Sequence, residues 1–330
     1  MTLNFVQQIF FKLFAYIMLA VYAITPPVAP STADVIKPAK ADAKLVFATV
    51  ADPQVSNYMF DRYRAFQASC EDLHNAERLD AIVGIGDIAE NGLAEEYNLA
   101  YASLGGINTR YIMATGNHDL RLRAYSQSTS RFYKFVDTLN GETDAMAGRT
   151  YSEGKLAYSE VVNGYKFIVM GSDKTEFEEA YISPEQLEWL DKEIATEKGK
   201  PVFVVLHQPL KLTHNLPTTW GNGTNKEAGS VGAQNDEIKA VLAKHADDST
   251  VVLITGHLHA GFSQYSYQQI DGFHSVNVPA LSIENKDGEE GGNGSGLTYI
   301  VEVYKNEILL RARNCKTGEW YPKWDTRIAL

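Results

Sequence analysis

Aspartate, glutamine, asparagine and histidine gather at five points of this 330-residue chain: Asp52-Pro53-Gln54, Gly86-Asp87, Gly116-Asn117-His118-Asp119, His207 and Gly256-His257-Leu258-His259. Asp52, Gln54, Asp87, Asn117, His207, His257 and His259 make an oxygen- and nitrogen-rich donor set of the kind that suits manganese, iron or zinc. One carboxylate of such a set can bridge two ions about 3.5–4 Å apart, the arrangement used for in-line displacement at phosphorus. Alternate side chains of an extended segment share a face, so His257 and His259 can reach one place. Each fragment alone is an ordinary turn or strand end. The chemistry exists only if the chain brings all of them together.

The elements around these fragments predict that it does. Lys44–Val50, Ala81–Ile85, Arg110–Ala114, Pro201–Leu206 and Val251–Ile254 are short apolar runs that read as buried strands, and each empties into one of the five fragments. Between them lie helical patterns: Met59–Leu79, Asp236–His245, and a segment opened by Ser183-Pro184-Glu185-Gln186 and stopped at Gly199. Strands alternating with helices imply parallel β-α-β units, whose functional groups collect at the carboxyl ends of the strands. The second half alternates instead, at 157–162, 165–170, 265–270, 273–278, 297–304 and 307–313. Asn163-Gly164 and Asp271-Gly272 there are hairpin signals. These runs predict a second, mostly antiparallel sheet packed on the first: an α/β fold of two facing mixed β-sheets flanked by helices. The Gly-rich stretches 221–232 and 287–296 read as long surface loops.

In this order the five fragments resemble the calcineurin-like metallophosphoesterases, whose blocks are Asp-x-His, Gly-Asp, Gly-Asn-His-Asp/Glu, a lone histidine and Gly-His-x-His. The resemblance covers about residues 44 to 313 and implies a four-layer αββα sandwich with a dinuclear centre. It assigns Asp52, Gln54, Asp87 and His259 to the first ion and Asp87, Asn117, His207 and His257 to the second, with Asp87 as the bridge. His118 resembles the histidine that contacts phosphate and protonates the leaving group, and Asp119 its orienting partner. A hydroxide acidified by the two ions would attack phosphorus. Two departures from the family pattern stand out. Gln54 replaces the commoner histidine, so the first ion gains an amide oxygen or loses a ligand, and manganese becomes the favoured metal. Glu90 stands where purple acid phosphatases carry a tyrosine ligand, which argues against an iron–tyrosinate centre.

Composition bounds the rest. Forty-one acidic and 30 basic residues leave a net charge of −11, which disfavours nucleic-acid binding. The partner expected is a small phosphate ester, met by metal ions rather than surface lysines. Residues 9–25 are apolar except for Lys12 and are followed by Pro26-Pro27. The uninterrupted run, 13–24, is shorter than the ~20 residues a membrane span needs and suits a signal peptide. Residues 1–43 are therefore expected to be a signal peptide or N-terminal anchor plus linker, membrane contact to be confined to that segment, and residues 44–330 to be an exported catalytic domain. His214, Trp220 and Asn222 are candidates for the floor of a substrate pocket, Arg121 and Arg123 for phosphate contact. His74, His245 and His274 read as surface or core residues, and Trp320, Tyr321 and Trp324 as a packing cap. Cys70 and Cys315 allow one bridge at most. The expected activity is that of a phosphodiesterase acting on a phosphodiester or nucleotide-like substrate. A phosphomonoesterase and a non-catalytic extracellular binding protein on the same scaffold are the alternatives.

Overall fold

The computed structural model describes residues 34–214, 230–286, 288 and 292–330, with two isolated positions, 13 and 17, before them. The apolar stretch read as a leader, and Trp220 and Asn222, lie outside the described residues apart from those two positions. No helix among the described residues is long and apolar enough to cross a membrane.

The first half alternates as its pattern dictates. Strand β1 (Leu45–Val50) leads to helix α1 (Phe60–His74), β2 (Ala81–Gly84), α2 (Ala94–Leu104) and β3 (Arg110–Met113). A single turn, α3 (Asn117–Leu120), precedes α4 (Tyr125–Asn140) and the short α5 (Ala145–Arg149). The second half runs β4 (Tyr158–Val162), β5 (Tyr165–Val169), α6 (Pro184–Ala195), β6 (Pro201–Val205), α7 (Asn235–Lys244) and β7 (Thr250–Thr255). It ends with β8 (Tyr267–Ile270), β9 (Phe273–Asn277), β10 (Leu297–Val303), β11 (Glu307–Asn314), β12 (Glu319–Trp320) and β13 (Thr326–Ala329). The start of α6 follows its sequence signal, the Ser183 hydroxyl accepting the Gln186 amide at 3.2 Å.

The two sheets are mixed and face each other, flanked by helices. One has the order β12-β11-β10-β1-β2-β3, with β13 on β11; the other is β4-β5-β6-β7-β9-β8. The expectation of a mostly antiparallel second sheet is corrected here. In that sheet β5, β6, β7 and β9 are parallel neighbours and only the edge strands β4 and β8 run against them. The antiparallel strands β10 and β11 instead extend the first sheet, β10 pairing with β1. A hairpin turn fixes local pairing but not which sheet the hairpin joins.

Period-two alternation divides the second sheet between two cores. Phe203, Val205, Val252 and Ile254 face the first sheet, where Phe47 packs its ring 5.2 and 5.1 Å from those of Phe167 and Phe203. Val202, Val204, Val251 and Leu253 face outward, packing with Leu190 and Ile194 of α6 and Ile238 and Leu242 of α7. The carboxyl ends of the parallel strands of both sheets come together, and there Ala51 and Ala280 form a parallel bridge across the gap. Cys70 and Cys315 are both buried free thiols.

Candidate metal centre

The loops leaving β1, β2, β3, β6 and β7 converge where the two sheets meet. Asp52, Asp87, Asn117, His207 and His257 are buried to within 2% of full burial. Five of the seven expected ligands take left-handed backbone conformations: Asp52 (φ 49°), Gln54 (38°), Asp87 (52°), His257 (70°) and His259 (46°). Such strain in residues other than glycine clusters at functional sites, where the surrounding structure over-determines it. The backbones that impose it are tied together, Asp52 N to Gly86 O at 3.2 Å, Gln54 N to Asp87 O at 2.8 Å and Gly256 N to His207 O at 2.9 Å. Two motif glycines are explained by close approach. A Cβ at Gly116 would strike the Asp87 carboxylate, and one at Gly256 would lie 2.6 Å from Asp52 Oδ2.

Two overlapping triads result, Asp52–Asp87–His259 and Asp87–His207–His257, each with ligand atoms within 4.8 Å of one another. Asp87 belongs to both, so one carboxylate stands between two donor sets. Its Oδ2 is 3.3 Å from His207 Nε2, and its Oδ1 accepts the His118 amide at 2.8 Å. His207 is oriented from behind: Nδ1–H donates to the Ile85 carbonyl at 3.0 Å, so Nε2 is the nitrogen that faces the cluster. His207 Nε2 is 3.1 Å from His257 Nδ1, and His259 Nε2 is 3.3 Å from Asp52 Oδ1. Asp52 Oδ2 accepts the His257 amide at 2.9 Å. Asp52 Oδ1 and Asn117 Oδ1 are buried with no hydrogen-bond partner. A buried acceptor left unsatisfied is costly unless a donor or cation meets it, so this donor set fits divalent metal ions.

Electrostatics inside the cluster point the same way. Burial alone would raise the Asp87 carboxyl, but the His207, His118 and His257 imidazoles outweigh it and hold Asp87 well below the carboxylate range. Burial opposes charge on His207, yet Asp87 and Asp52 push it up to about 9. Burial, reinforced by charge on His207, drives His257 far down. Two buried carboxylates thus demand positive charge in the space between them.

His118 reaches this space with Nε2, 3.9 Å from Asp87 Oδ2. Its Nδ1 lies 2.9 Å from the Glu90 carbonyl and 3.0 Å from Arg121 Nη2. The expectation that Asp119 orients His118 is corrected. Both Asp119 oxygens are occupied by the amides of Ile88, Ala89 and Gly116 and by the Tyr97 hydroxyl, at 2.9–3.2 Å. Burial and the Asp87 charge push its carboxyl up to about 6. Asp119 fixes two loops, and the Glu90 backbone holds the histidine. Gln54 sits in the cluster with its amide nitrogen 3.0 Å from Asp87 Oδ2 and its oxygen turned to Arg62 at 3.3 Å. Asn117 donates to Glu178 at 3.1 Å. Arg62 and Glu178 escaped sequence reasoning, because neither lies in a motif and each acts through another side chain.

Of the other candidates among the described residues, only Arg121 adjoins the cluster. Arg121 bonds Glu178 at 3.3 Å and stands 5.2 Å over the Phe177 ring, beside His118. Arg123 donates to the neighbouring Leu122 carbonyl. His214 is fully buried, bonded to the Tyr265 carbonyl at 2.8 Å and the Ser275 hydroxyl at 3.0 Å. It anchors its loop to β9. Burial pushes it down to about 4, so it is a neutral core residue.

Residues 45–261 match the family described as calcineurin-like phosphoesterase. The chain is 26% identical over 239 residues to a probable cyclic nucleotide phosphodiesterase of Rhodococcus erythropolis, covering 70% of this chain and 69% of that one. It is 24% identical over 182 residues to a probable glycerophosphodiester phosphodiesterase of Arcobacter nitrofigilis, covering 54% and 56%. The fold is similar to that of the purple acid phosphatase PPD1 from yellow lupin (Lupinus luteus) seeds, with a TM-score of 0.59 and 14% identity over 86% of this chain and 53% of the lupin one. The matched region thus spans little more than half the length of the last two.

Proposed function

The chain belongs to the calcineurin-like phosphoesterase family and is a hydrolase of phosphoric esters, and from that premise we propose that it is a phosphodiesterase with a dinuclear metal centre, acting on a small phosphodiester or nucleotide-like substrate. The observation that carries this reading is the pair of triads sharing Asp87. Asp52, Asp87 and His259 would hold the first ion, and Asp87, Asn117, His207 and His257 the second. Manganese is the metal proposed, since the set is oxygen- and imidazole-rich and has no thiolate. When bound, two such ions neutralise phosphate charge and activate a water nucleophile.

The chain's own residues supply the rest. Ile85 fixes the tautomer of His207, and the His257 amide fixes Asp52, so the donor set is held in place before any substrate arrives. His118 turns Nε2 toward the cluster while Nδ1–H donates to the Glu90 carbonyl, with the Arg121 guanidinium beside the ring. From there the protonated ring can donate Nε2–H to the leaving oxygen. Arg121 adds positive charge beside that position. Tyr58, Leu122 and Phe177, on loops, and Phe60, at the start of α1, stand exposed and close in sequence to Gln54, His118 and Glu178. They offer apolar contact to the organic groups of a diester. Both curated relatives carry phosphodiesterase names, which supports the same substrate class. Residues 44–330 form the catalytic domain in this reading, and the apolar segment 9–25 directs export; amino-terminal sequencing of protein recovered outside the cytoplasm would reveal cleavage before residue 44.

The test is hydrolysis of bis-p-nitrophenyl phosphate and p-nitrophenyl phosphate with manganese, before and after chelation. Preferential, chelator-sensitive turnover of the diester is expected. Preference for the monoester would make the protein a phosphomonoesterase, and no turnover by protein carrying two ions would make it a binding protein.

A further inference from the structure

Two carboxamides approach the metal cluster and present opposite ends to it. Asn117 gives its amide nitrogen to Glu178 Oε2 at 3.1 Å, which leaves Oδ1 buried and without a hydrogen-bond partner. Gln54 is reversed. Arg62 Nη1 donates to its oxygen at 3.3 Å, while its nitrogen donates to Asp87 Oδ2 at 3.0 Å and lies 3.5 Å from His259 Nε2. Partner chemistry sets each direction, since a guanidinium has only donors and a carboxylate only acceptors. Turning Gln54 over would set its NH2 against Arg62 and its oxygen against Asp87, exchanging two charge-assisted hydrogen bonds for two repulsions. Arg62 is itself braced, its Nη1 lying 2.5 Å from Glu90 Oε2. Glu90 is the same residue whose carbonyl holds His118.

We propose that Arg62 is a positioning residue that locks Gln54 with its amide nitrogen toward Asp87, so that the first cation is held by Asp52, Asp87 and His259 alone while Glu178 aims the Asn117 oxygen at the second. The two cation positions are then unequal. The second is the retained one and the first the exchangeable one, with Gln54 orienting the shared carboxylate rather than ligating. This rests on the dinuclear reading above.

The experiment is calorimetric titration of the metal-stripped full chain with manganese, run on the wild type, Gln54→Met, Arg62→Met and Asn117→Ala, with thermal unfolding of each as the check on folding. The wild type should show two dissociation constants at least about tenfold apart. Gln54→Met, which removes only a hydrogen bond to the shared carboxylate, should weaken the first site by about tenfold without abolishing it, Arg62→Met should tighten it as the amide oxygen becomes free to turn inward, and Asn117→Ala should weaken the tighter one by about tenfold or more. Loss of the weaker site in Gln54→Met, or no tightening in Arg62→Met, overturns the proposal. Should Gln54→Met unfold early, Gln54→Leu takes its place. Failure of the underlying reading shows differently, as a wild type that binds fewer than two ions or that binds two and hydrolyses no ester.

Discussion

The two halves of the proposed metal centre are built to different standards. Around the second position, His207 and His257 are at most 1% exposed, the His207 ring is anchored by the Ile85 carbonyl, and Glu178 holds the Asn117 amide from outside. Around the first, the His259 side chain is 15% exposed and the nearby amide of Gln54 shows its nitrogen to the cluster. A ligand's residue type therefore does not settle what it offers. Asn117 and Gln54 carry the same functional group, and a neighbour of opposite charge turns each the opposite way. Buried, braced donors give a preorganised site, whereas an open and incompletely braced one exchanges its ion more readily.

Asp87 belongs to both halves, and its loss should erase the contrast. Asp87→Asn is expected to lower metal content below one ion per chain, measured by elemental analysis, and turnover by on the order of 10³-fold or more. Retention of one tightly held ion would mean that the halves are independent and that Asp87 serves only one. His118 belongs to neither half. His118→Ala should leave about two ions bound while lowering kcat by roughly 10²–10⁴-fold, with a smaller loss for a nitrophenolate leaving group, which needs no protonation.

Much of this was legible in the sequence because the fragments sit at strand ends, and the strand pattern and the ligand types are both local properties. The five runs became β1, β2, β3, β6 and β7 with boundaries shifted by a residue or so. Helix α4 was not read. Its apolar residues Phe132, Phe135, Val136 and Leu139 do recur at helical spacing and are buried, but serine, threonine and tyrosine crowd its first half. Sheet membership of β10 and β11 is decided by pairing with β1, some 250 residues away, and no turn signal carries that information. Asp119 misleads because its motif neighbours belong to the candidate site. Its four hydrogen bonds go to backbone amides and to Tyr97, which only the folded chain brings near.

The glycines separate the halves with a smaller effect. A Cβ at Gly256 presses on Asp52, a ligand candidate of the first position alone, whereas one at Gly116 presses on the shared Asp87. Gly256→Ala should therefore weaken one manganese dissociation constant by about 10–100-fold and leave the other in place, and Gly116→Ala should weaken both. Equal effects from the two variants would break the comparison.

Asp119 should show the smallest effect on turnover, because it ties the halves together without touching either. Its Oδ1 accepts from Ala89 N and the Tyr97 hydroxyl, and its Oδ2 from Ile88 N and Gly116 N, joining the loop that carries Asp87 to the loop that carries Asn117. In Asp119→Asn one oxygen remains an acceptor, but the other is replaced by an NH2 that faces donors. The buried amides left unpaired should lower stability by about 1–3 kcal/mol, read from urea unfolding of the metal-stripped chain. Turnover should fall by no more than a few fold, since the His118 ring is held by the Glu90 carbonyl. The pH dependence of kcat separates this role from the one the motif suggested. A residue that merely joins loops leaves the limb governed by His118 where it was, whereas a partner that stabilised the imidazolium would, once neutralised, shift that limb to lower pH.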